Sequence, residues 1–533
     1  MNPSARGHLC LVLHAHLPFV RHPEHRTFLE EDWLFEAITE CYAPVLDRLT
    51  RLAEEGVPYR LTISVSPPLA AMLRDPLLRG RYEARRDRLL ELAGHELERT
   101  RDTPFAAAAA ALREAMFSSR RVWNRWDGDL TAALRHLAEL GRVELVTSTA
   151  THGYLPLMAT REARRAQIQV GLKSHERVFG QRPAGMWLAE CGFERGVDRL
   201  LADEGVAYFF TEAHALLYAH PRPRFSVFAP VATAGGPAAF ARDPECGRQV
   251  WSATEGYPGD FVYREYYRDL GFDADYDAIR PYLHPDGVRR HLGLKYFRIT
   301  GRHVPLHHKE PYDPAAAARR AAEHARHFVD SQRRRVAQIR EVIGQAPVLS
   351  APYDAELFGH WWFEGPAFLE AVLREAARDP ESLGLASPSD ILAGGAYVDT
   401  VDVNPSSWGV EGSSRVWLNG SNAWMYPHLH RMERRMVNLA MSHPTVDGQT
   451  HRLLNQAVRE LLLAQASDWP FIVTNRTSVT YALRRFQTHV DRFQRLDDML
   501  SGRAHIDEGW LAEIEGRDPI FADDADYRIF LRL

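Results

Sequence analysis

Lysine is almost missing from this chain: only three of its 65 cationic residues (Lys173, Lys295, Lys309) are lysine, and the rest are arginine. Acidic residues number 70, so the net charge is −5 and no global basic field exists to draw the protein to nucleic acid or a membrane surface. Cysteine is scarce too. Cys10, Cys41, Cys191 and Cys246 are far apart and form no Cys-x-x-Cys pair, which argues against a disulfide framework and a thiolate zinc site. No run of ~20 apolar residues occurs that could span a bilayer. The short apolar run Leu9–Leu13 lacks the layout of a signal peptide. There is no Gly-x-x-x-x-Gly-Lys-Ser/Thr phosphate cradle, no Gly-x-Gly-x-x-Gly after a strand and no Gly-x-Ser-x-Gly, which disfavours nucleotide enzymes and serine hydrolases. These absences predict a cytoplasmic, soluble protein.

What is present is ordinary globular composition, 45% hydrophobic and 25% charged, with 12 Trp and 25 His standing out. Length predicts about three domains or one elaborated one. Short β-type runs recur (Leu9–Leu13, Tyr59–Ser64, Val143–Thr147, Gly185–Leu188, Val206–Phe210, Val348–Ser350), each followed by a polar or aromatic motif and then helical periodicity. Alternation of this kind predicts a parallel sheet, and the chemistry-bearing residues sit just past the strand ends, as at the mouth of an α/β barrel. The barrel is expected over 1–72 and 141–400. The Arg- and Glu-rich stretch 73–140 reads as a helical insertion. Residues 401–533 read as an α-helical C-terminal domain, with helical spacing over Trp424–Met441, Arg452–Ala466 and Ser478–Met499. The stretch between Pro221 and Gly301, rich in Gly, Pro and aromatics, reads as a functional loop system.

Glu190 and Asp354 are the leading chemical pair. Each follows a strand and lies among aromatics, with Trp187 before Glu190 and Trp361 and Trp362 after Asp354. Two strand ends facing each other can bring two carboxyls to about 5–5.5 Å, the spacing of a nucleophile and an acid/base in a retaining glycosidase. Pairing of either acid with an arginine is the plain alternative. His14, His16 and His152 form a second constellation, and spacing alone leaves a metal site and contacts to sugar hydroxyls equally open. Trp251, Trp408, Trp417, Trp424 and Trp469 lie in or beside Gly-, Pro- or Asn-containing segments and could stack on sugar rings, although about half are expected to fill cores. Asp468 beside Trp469, and Arg264 among Tyr263, Tyr266 and Tyr267, offer polar anchors or plain surface charge.

Taken together the motifs resemble those of glycoside hydrolase family 57, and within it the 1,4-α-glucan branching enzymes. The resemblance runs in order through His14-Ala15-His16-Leu17-Pro18-Phe19, Thr151-His152-Gly153-Tyr154, Trp187-Leu188-Ala189-Glu190-Cys191-Gly192-Phe193 and Pro352-Tyr353-Asp354-Ala355-Glu356-Leu357-Phe358-Gly359-His360-Trp361-Trp362. Arg242-Asp243-Pro244-Glu245, Gly256-Tyr257-Pro258-Gly259-Asp260 and Ser467-Asp468-Trp469-Pro470-Phe471 extend it. It implies an incomplete (β/α)7 barrel with a helical insertion and a helical C-terminal domain. It further implies Glu190 as nucleophile and Asp354 as proton donor, with substrate contacts from His14, His16, His152, Gly247, Arg264, Trp408, Trp417 and Asp468. The expected substrate is an α-1,4-glucan, with no metal and no cofactor. Branching enzymes of the family often carry a Tyr on a mobile loop over the site; the corresponding stretch, Ala234–Arg242, has Phe240 as its only aromatic and no Tyr. An α-amylase or 4-α-glucanotransferase of the same family therefore remains the near alternative. A metal-dependent carbohydrate hydrolase or deacetylase and a non-catalytic glucan binder are the distant ones.

Overall fold

The computed structural model describes residues 5–252, 254–395, 399–446 and 448–531. Among the described residues there are ten strands: β1 His8–Ala15, β2 Leu61–Val65, β3 Val143–Ser148, β4 Gly185–Trp187, β5 Tyr208–Thr211, β6 Val231–Thr233, β7 Ala238–Ala241, β8 Val348–Asp354, β9 Gly384–Leu385 and β10 Asp399–Val401. Seven of them (β8, β1, β2, β3, β4, β5, β7) pair side by side, all parallel. Every residue of β1 and β2 is buried, as expected for strands covered on both faces. The curled sheet closes through an isolated parallel bridge between Arg242 and Ser350, where the Asp243 N–H donates to the Ser350 carbonyl at 2.7 Å. The result is an incomplete (β/α)7 barrel, with β6 antiparallel to β7, β10 beside β6, and β9 beside β1.

Two long helices, Pro76–Thr100 and Ala106–Arg125, and the shorter Leu130–Glu139 lie between β2 and β3. The Asp75 side chain caps the first by accepting from the Leu78 N–H, and Pro76 occupies its first turn. Beyond β10 the long elements are helices: Met425–Ser442, Gly448–Ala464, Asp468–Asn475, Val479–Leu500 and Glu508–Arg517. Their apolar residues join one contiguous core with those of β1, β2 and β3.

Two expectations change. The stretch Pro221–Gly301 is more than a loop, because it contains β6, β7 and the helix Pro244–Trp251. Nor does Ala234–Arg242 form a cover. Its turn joins β6 to β7 and precedes the N-terminal end of β7, which puts it at the end of the barrel opposite the strand C-termini. There Gly235 N–H donates to Asp198 at 2.8 Å. Phe240 is buried on β7 against Tyr208 and Phe210.

Candidate active site

The strand C-termini carry the polar residues. On three neighbouring strands Ser64, His14 and Asp354 stand in register. β4 ends in a tight turn, Ala189–Cys191, in which Glu190 and Cys191 take left-handed backbone angles (φ 62° and 51°); His152, past β3, does the same at φ 56°. For residues with a Cβ such angles cost on the order of 1 kcal/mol or more each, and they recur where a side chain must be aimed. Hydrogen bonds hold the Glu190 turn: Cys191 N–H to Leu188 O, Gly192 N–H to Ala189 O, and Trp408 N–H to Glu190 O, each at 2.9 Å.

The Glu190 carboxylate has two donors. The Trp408 indole N–H reaches Oε2 at 2.7 Å and the Ser467 hydroxyl reaches Oε1 at 3.1 Å. From Ser467 a chain of bonds runs back into the barrel. Ser467 Oγ meets His152 Nδ1 at 2.8 Å, His152 Nε2 meets His14 Nε2 at 3.0 Å, and His14 Nδ1 meets Ser64 Oγ at 3.0 Å. The chain fixes the tautomers. Because Ser467 donates to Glu190, His152 Nδ1–H must donate to Ser467, and His14 Nε2–H to His152, leaving His14 Nδ1 to accept from Ser64. Both imidazoles are then neutral, in line with burial and the nearby His16 holding them far below the usual histidine range. His14 also stacks on Trp187, with centroids 4.6 Å apart.

His16 differs. Burial opposes its charge, but Asp468, with both oxygens 3.2 Å from Nε2, and the nearby Glu190 and Glu356 raise its pKa above the ordinary value. Its Nδ1 is 2.8 Å from Ser66 Oγ, so the imidazolium has a partner on each nitrogen. The spacing of the three imidazoles is thus spent on one another and on hydroxyls and a carboxylate. Among the described residues no group of three or more His, Cys, Asp or Glu is arranged to hold a metal ion.

The two acids share burial and acidic neighbours but differ in their donors. Burial raises Glu190 somewhat, helped by Asp468, while the Trp408 and Ser467 donors and His16 favour its charged form. Asp354 is pushed well above the carboxylate range by burial first, then by the charges of Glu356 and Glu190, against the opposing pull of Arg242. No described residue hydrogen-bonds its carboxyl. A carboxyl with two donors beside one raised further and without a donor among the described residues is an ordering that suits a base or nucleophile paired with an acid.

The remaining expected residues are placed differently. Trp408 is half-buried and grips Glu190. Trp417 is buried at 1% exposure and stacks on Tyr154 with centroids 4.6 Å apart, behind the site. Trp469 is core, its N–H on the Leu463 carbonyl. Trp251 and Trp361 are exposed and 6.3 Å apart, with Trp251 6.5 Å from Trp408. Gly247 is buried on its helix, where a Cβ would come within 3.0 Å of the Arg242 guanidinium; it leaves room for Arg242, which pairs with Glu212 at 3.2 Å. Arg264 is not beside the carboxyl pair. It lies over the Phe363 ring at 4.2 Å and lines a separate cavity of about 260 Å³ with Glu36, Glu40 and Tyr312. Sequence reasoning did not single out Ser64, Ser66, Ser467 or Arg242 as site residues. Ser64 and Ser66, at and just past the end of β2, repeat the alternation of His14 and His16 at and just past the end of β1, which was the available signal.

A model of glycosyl hydrolase family 57 matches residues 10–403, about three quarters of the chain. The chain belongs to glycosyl hydrolase family 57. A second model, 1,4-alpha-glucan branching enzyme, C-terminal, matches residues 428–530, the segment that supplies Ser467 and Asp468. Among family 57 relatives, the chain is 36% identical to the 1,4-alpha-glucan branching enzyme of Thermococcus kodakarensis, over 97% of this chain and 77% of that one. The crystal structure of that enzyme in complex with glucose superposes with a TM-score of 0.89 at 34% identity, covering 99% and 97% of the two chains. A probable 1,4-alpha-glucan branching enzyme of Mycobacterium tuberculosis is 32% identical over 96% of this chain and 97% of its own. The crystal structure of the alpha-amylase AmyC from Thermotoga maritima matches at 42% identity and TM-score 0.92, covering 99% of both chains.

Proposed function

We propose that the protein is a 1,4-α-glucan branching enzyme working by retaining double displacement on a neutral amylose-like or glycogen-like chain. The observation that carries the mechanism is the contrast between Glu190, gripped by Trp408 and Ser467, and Asp354, half-buried at the end of β8 with no donor among the described residues. Asp354 protonates the leaving glycosidic oxygen while Glu190 attacks the anomeric carbon. Asp354, now a base, then takes the proton of an incoming glucan 6-hydroxyl, which displaces Glu190 and forms an α-1,6 branch. His16 and Asp468, with the His14–His152 pair, are set to receive sugar hydroxyls beside the reacting carbon. The exposed Trp251 and Trp361 offer faces on which further glucose units can stack. The branching-enzyme relatives, and a C-terminal segment that contributes Ser467 and Asp468 directly, support transfer over hydrolysis as the second step. Four buried, unpaired cysteines fit a reducing compartment such as the cytoplasm, where glycogen-type polymers are made.

Hydrolysis is the second reading, and two observations favour it: the match to AmyC, and the position of the Ala234–Pro237 turn away from the strand C-termini, so that this stretch sets no Tyr over the site. Incubation with amylose, followed by the anomeric proton signals of α-1,4 and α-1,6 linkages, separates the two. Branching gives α-1,6 signal with little rise in reducing ends. Rising reducing ends without α-1,6 signal would assign the protein to the amylases.

A further inference from the structure

Past β8 the chain turns through Ala355–Leu357, and Glu356 in that turn is 6% exposed with no part yet in the chemistry. Two other segments converge on it. The backbone N–H of His16, at the end of β1, donates to Glu356 Oε1 at 3.2 Å. The Tyr42 hydroxyl donates to the same oxygen. Tyr42 belongs to a π-helical stretch, Ile38–Tyr42, a geometry that turns up repeatedly at functional sites. Its neighbour Cys41 donates its Sγ–H to the Ala355 carbonyl at 2.9 Å. The π-helical stretch is thereby docked onto the turn that follows Asp354, and one carboxylate oxygen joins it to His16, the residue after the strand that carries His14.

We propose that Glu356 is a positioning residue for the proton donor: clamped by Tyr42 and His16, it ties the end of β8 to the end of β1 and sets a fixed negative charge beside Asp354. The inference rests on the reading of Asp354 as proton donor. The groups facing Asp354 are Glu356 from its own turn, Glu190 from the turn after β4, Arg242 from the end of β7, and Tyr42 and Cys191, both of which its charge affects. Those facing Glu356 are Tyr42, Cys41 and His16. Burial is the first reason Asp354 holds its proton, and the charge of Glu356 is the second, ahead of Glu190. Burial lifts Glu356 too, yet the Tyr42 bond and the His16 imidazolium favour its ionised form. Both carboxyls are raised, Asp354 the further, so Asp354 is the one that keeps its proton longer as pH rises. The sign follows: activity needs protonated Asp354 and is lost as pH rises through its raised pKa, so removing a neighbouring negative charge brings that loss to lower pH.

Glu356→Gln is the discriminating substitution, because an amide oxygen can still accept from Tyr42 and His16 while the charge is gone. The pH profile of kcat/KM on amylose should keep its shape with the alkaline limb moved down by about one pH unit, the scale of a removed like charge. Glu356→Asp keeps the charge but shortens the reach, and should leave that limb in place while kcat falls several-fold. Tyr42→Phe removes one arm of the clamp and should act like Glu356→Asp, which keeps the proposal testable if the Gln variant does not fold. An unmoved alkaline limb in folded Glu356→Gln would overturn the proposal, as would wild-type kcat in Tyr42→Phe. Asp354→Asn separates the two levels. If it is inactive while the Glu356→Gln profile matches wild type, only the positioning role fails. If it turns over like wild type, the proton-donor reading fails and the proposal with it.

Discussion

Trp408 spends its indole N–H on Glu190, so at the scale of single residues it tunes the carboxylate proposed as nucleophile. A hydrogen bond to a charged group is worth about 1.5–3 kcal/mol, or roughly one to two pKa units. Trp408→Phe keeps an aromatic face but removes the donor, so the pKa of Glu190 should rise. Attack requires the ionised form, so activity should fail at higher pH on the acid side. The acid limb of kcat/KM is expected to move up by about one to two units; an unmoved limb would mean Trp408 acts on substrate alone. Glu190→Gln should lower turnover by about a thousand-fold or more while glucan binding on an affinity gel persists. Ser467→Ala removes the second donor and uncouples the His14–His152 pair from the carboxylate, and should shift the acid limb in the same direction by a smaller amount.

At the scale of elements, the C-terminal helices are held by buried charge as well as by apolar packing. Asp518, just past Glu508–Arg517, bonds Arg485 at 2.8 Å and Arg492 at 2.6 Å, both on the helix Val479–Leu500. Burial works against its charge, but the two guanidiniums and His489 overcome it and depress its pKa far below the usual value. A depressed carboxyl stabilises above its unfolded pKa and loses that contribution as pH falls. Asp518→Asn leaves two buried cations short of a partner and should cost about 3–5 kcal/mol in denaturant unfolding at neutral pH, with the gap from wild type narrowing under acid conditions. An equal midpoint for the two proteins at neutral pH would contradict this.

Six barrel strands were legible because each is a short β-rich run ending in a polar motif, as Leu9–Leu13 ends in His14. β7 was not. Ala238-Ala239-Phe240-Ala241 has weak intrinsic strand preference and sits after Gly235, Gly236 and Pro237; pairing with β5 makes it a strand. The same misreading turned its hairpin into an expected cover. Glu190 and Asp354 were legible as acids after strands, and His14, His16 and His152 as a cluster. The roles of Trp408, Trp417 and Gly247 were not, since only the folded chain shows which way an indole points or whose guanidinium a missing Cβ accommodates. Ser467 was quoted only as a neighbour of Asp468, because its partner His152 lies 315 residues away.

At the scale of the whole molecule, the site belongs to two parts of the chain. Barrel strands carry the acids and imidazoles, and the helical C-terminal part lays Ser467 and Asp468 against them. The two are joined by a bridge between Gly153 and Ala466 and by the Ser467 N–H on the His152 carbonyl at 3.2 Å. Turnover should therefore fail together with the C-terminal helices: in wild type and Asp518→Asn alike, the denaturant midpoint for activity should follow that for helix loss. Activity persisting after those helices melt would contradict a composite site.

The central claim is that a glucosyl unit passes through Glu190. The protein should be incubated with a fluorinated α-maltosyl fluoride that slows the second displacement, digested, and read by peptide mass spectrometry. The account predicts a glycosyl adduct on Glu190 that disappears when a glucan acceptor is added. An adduct on another carboxylate, or full inactivation with no adduct on Glu190, would contradict it.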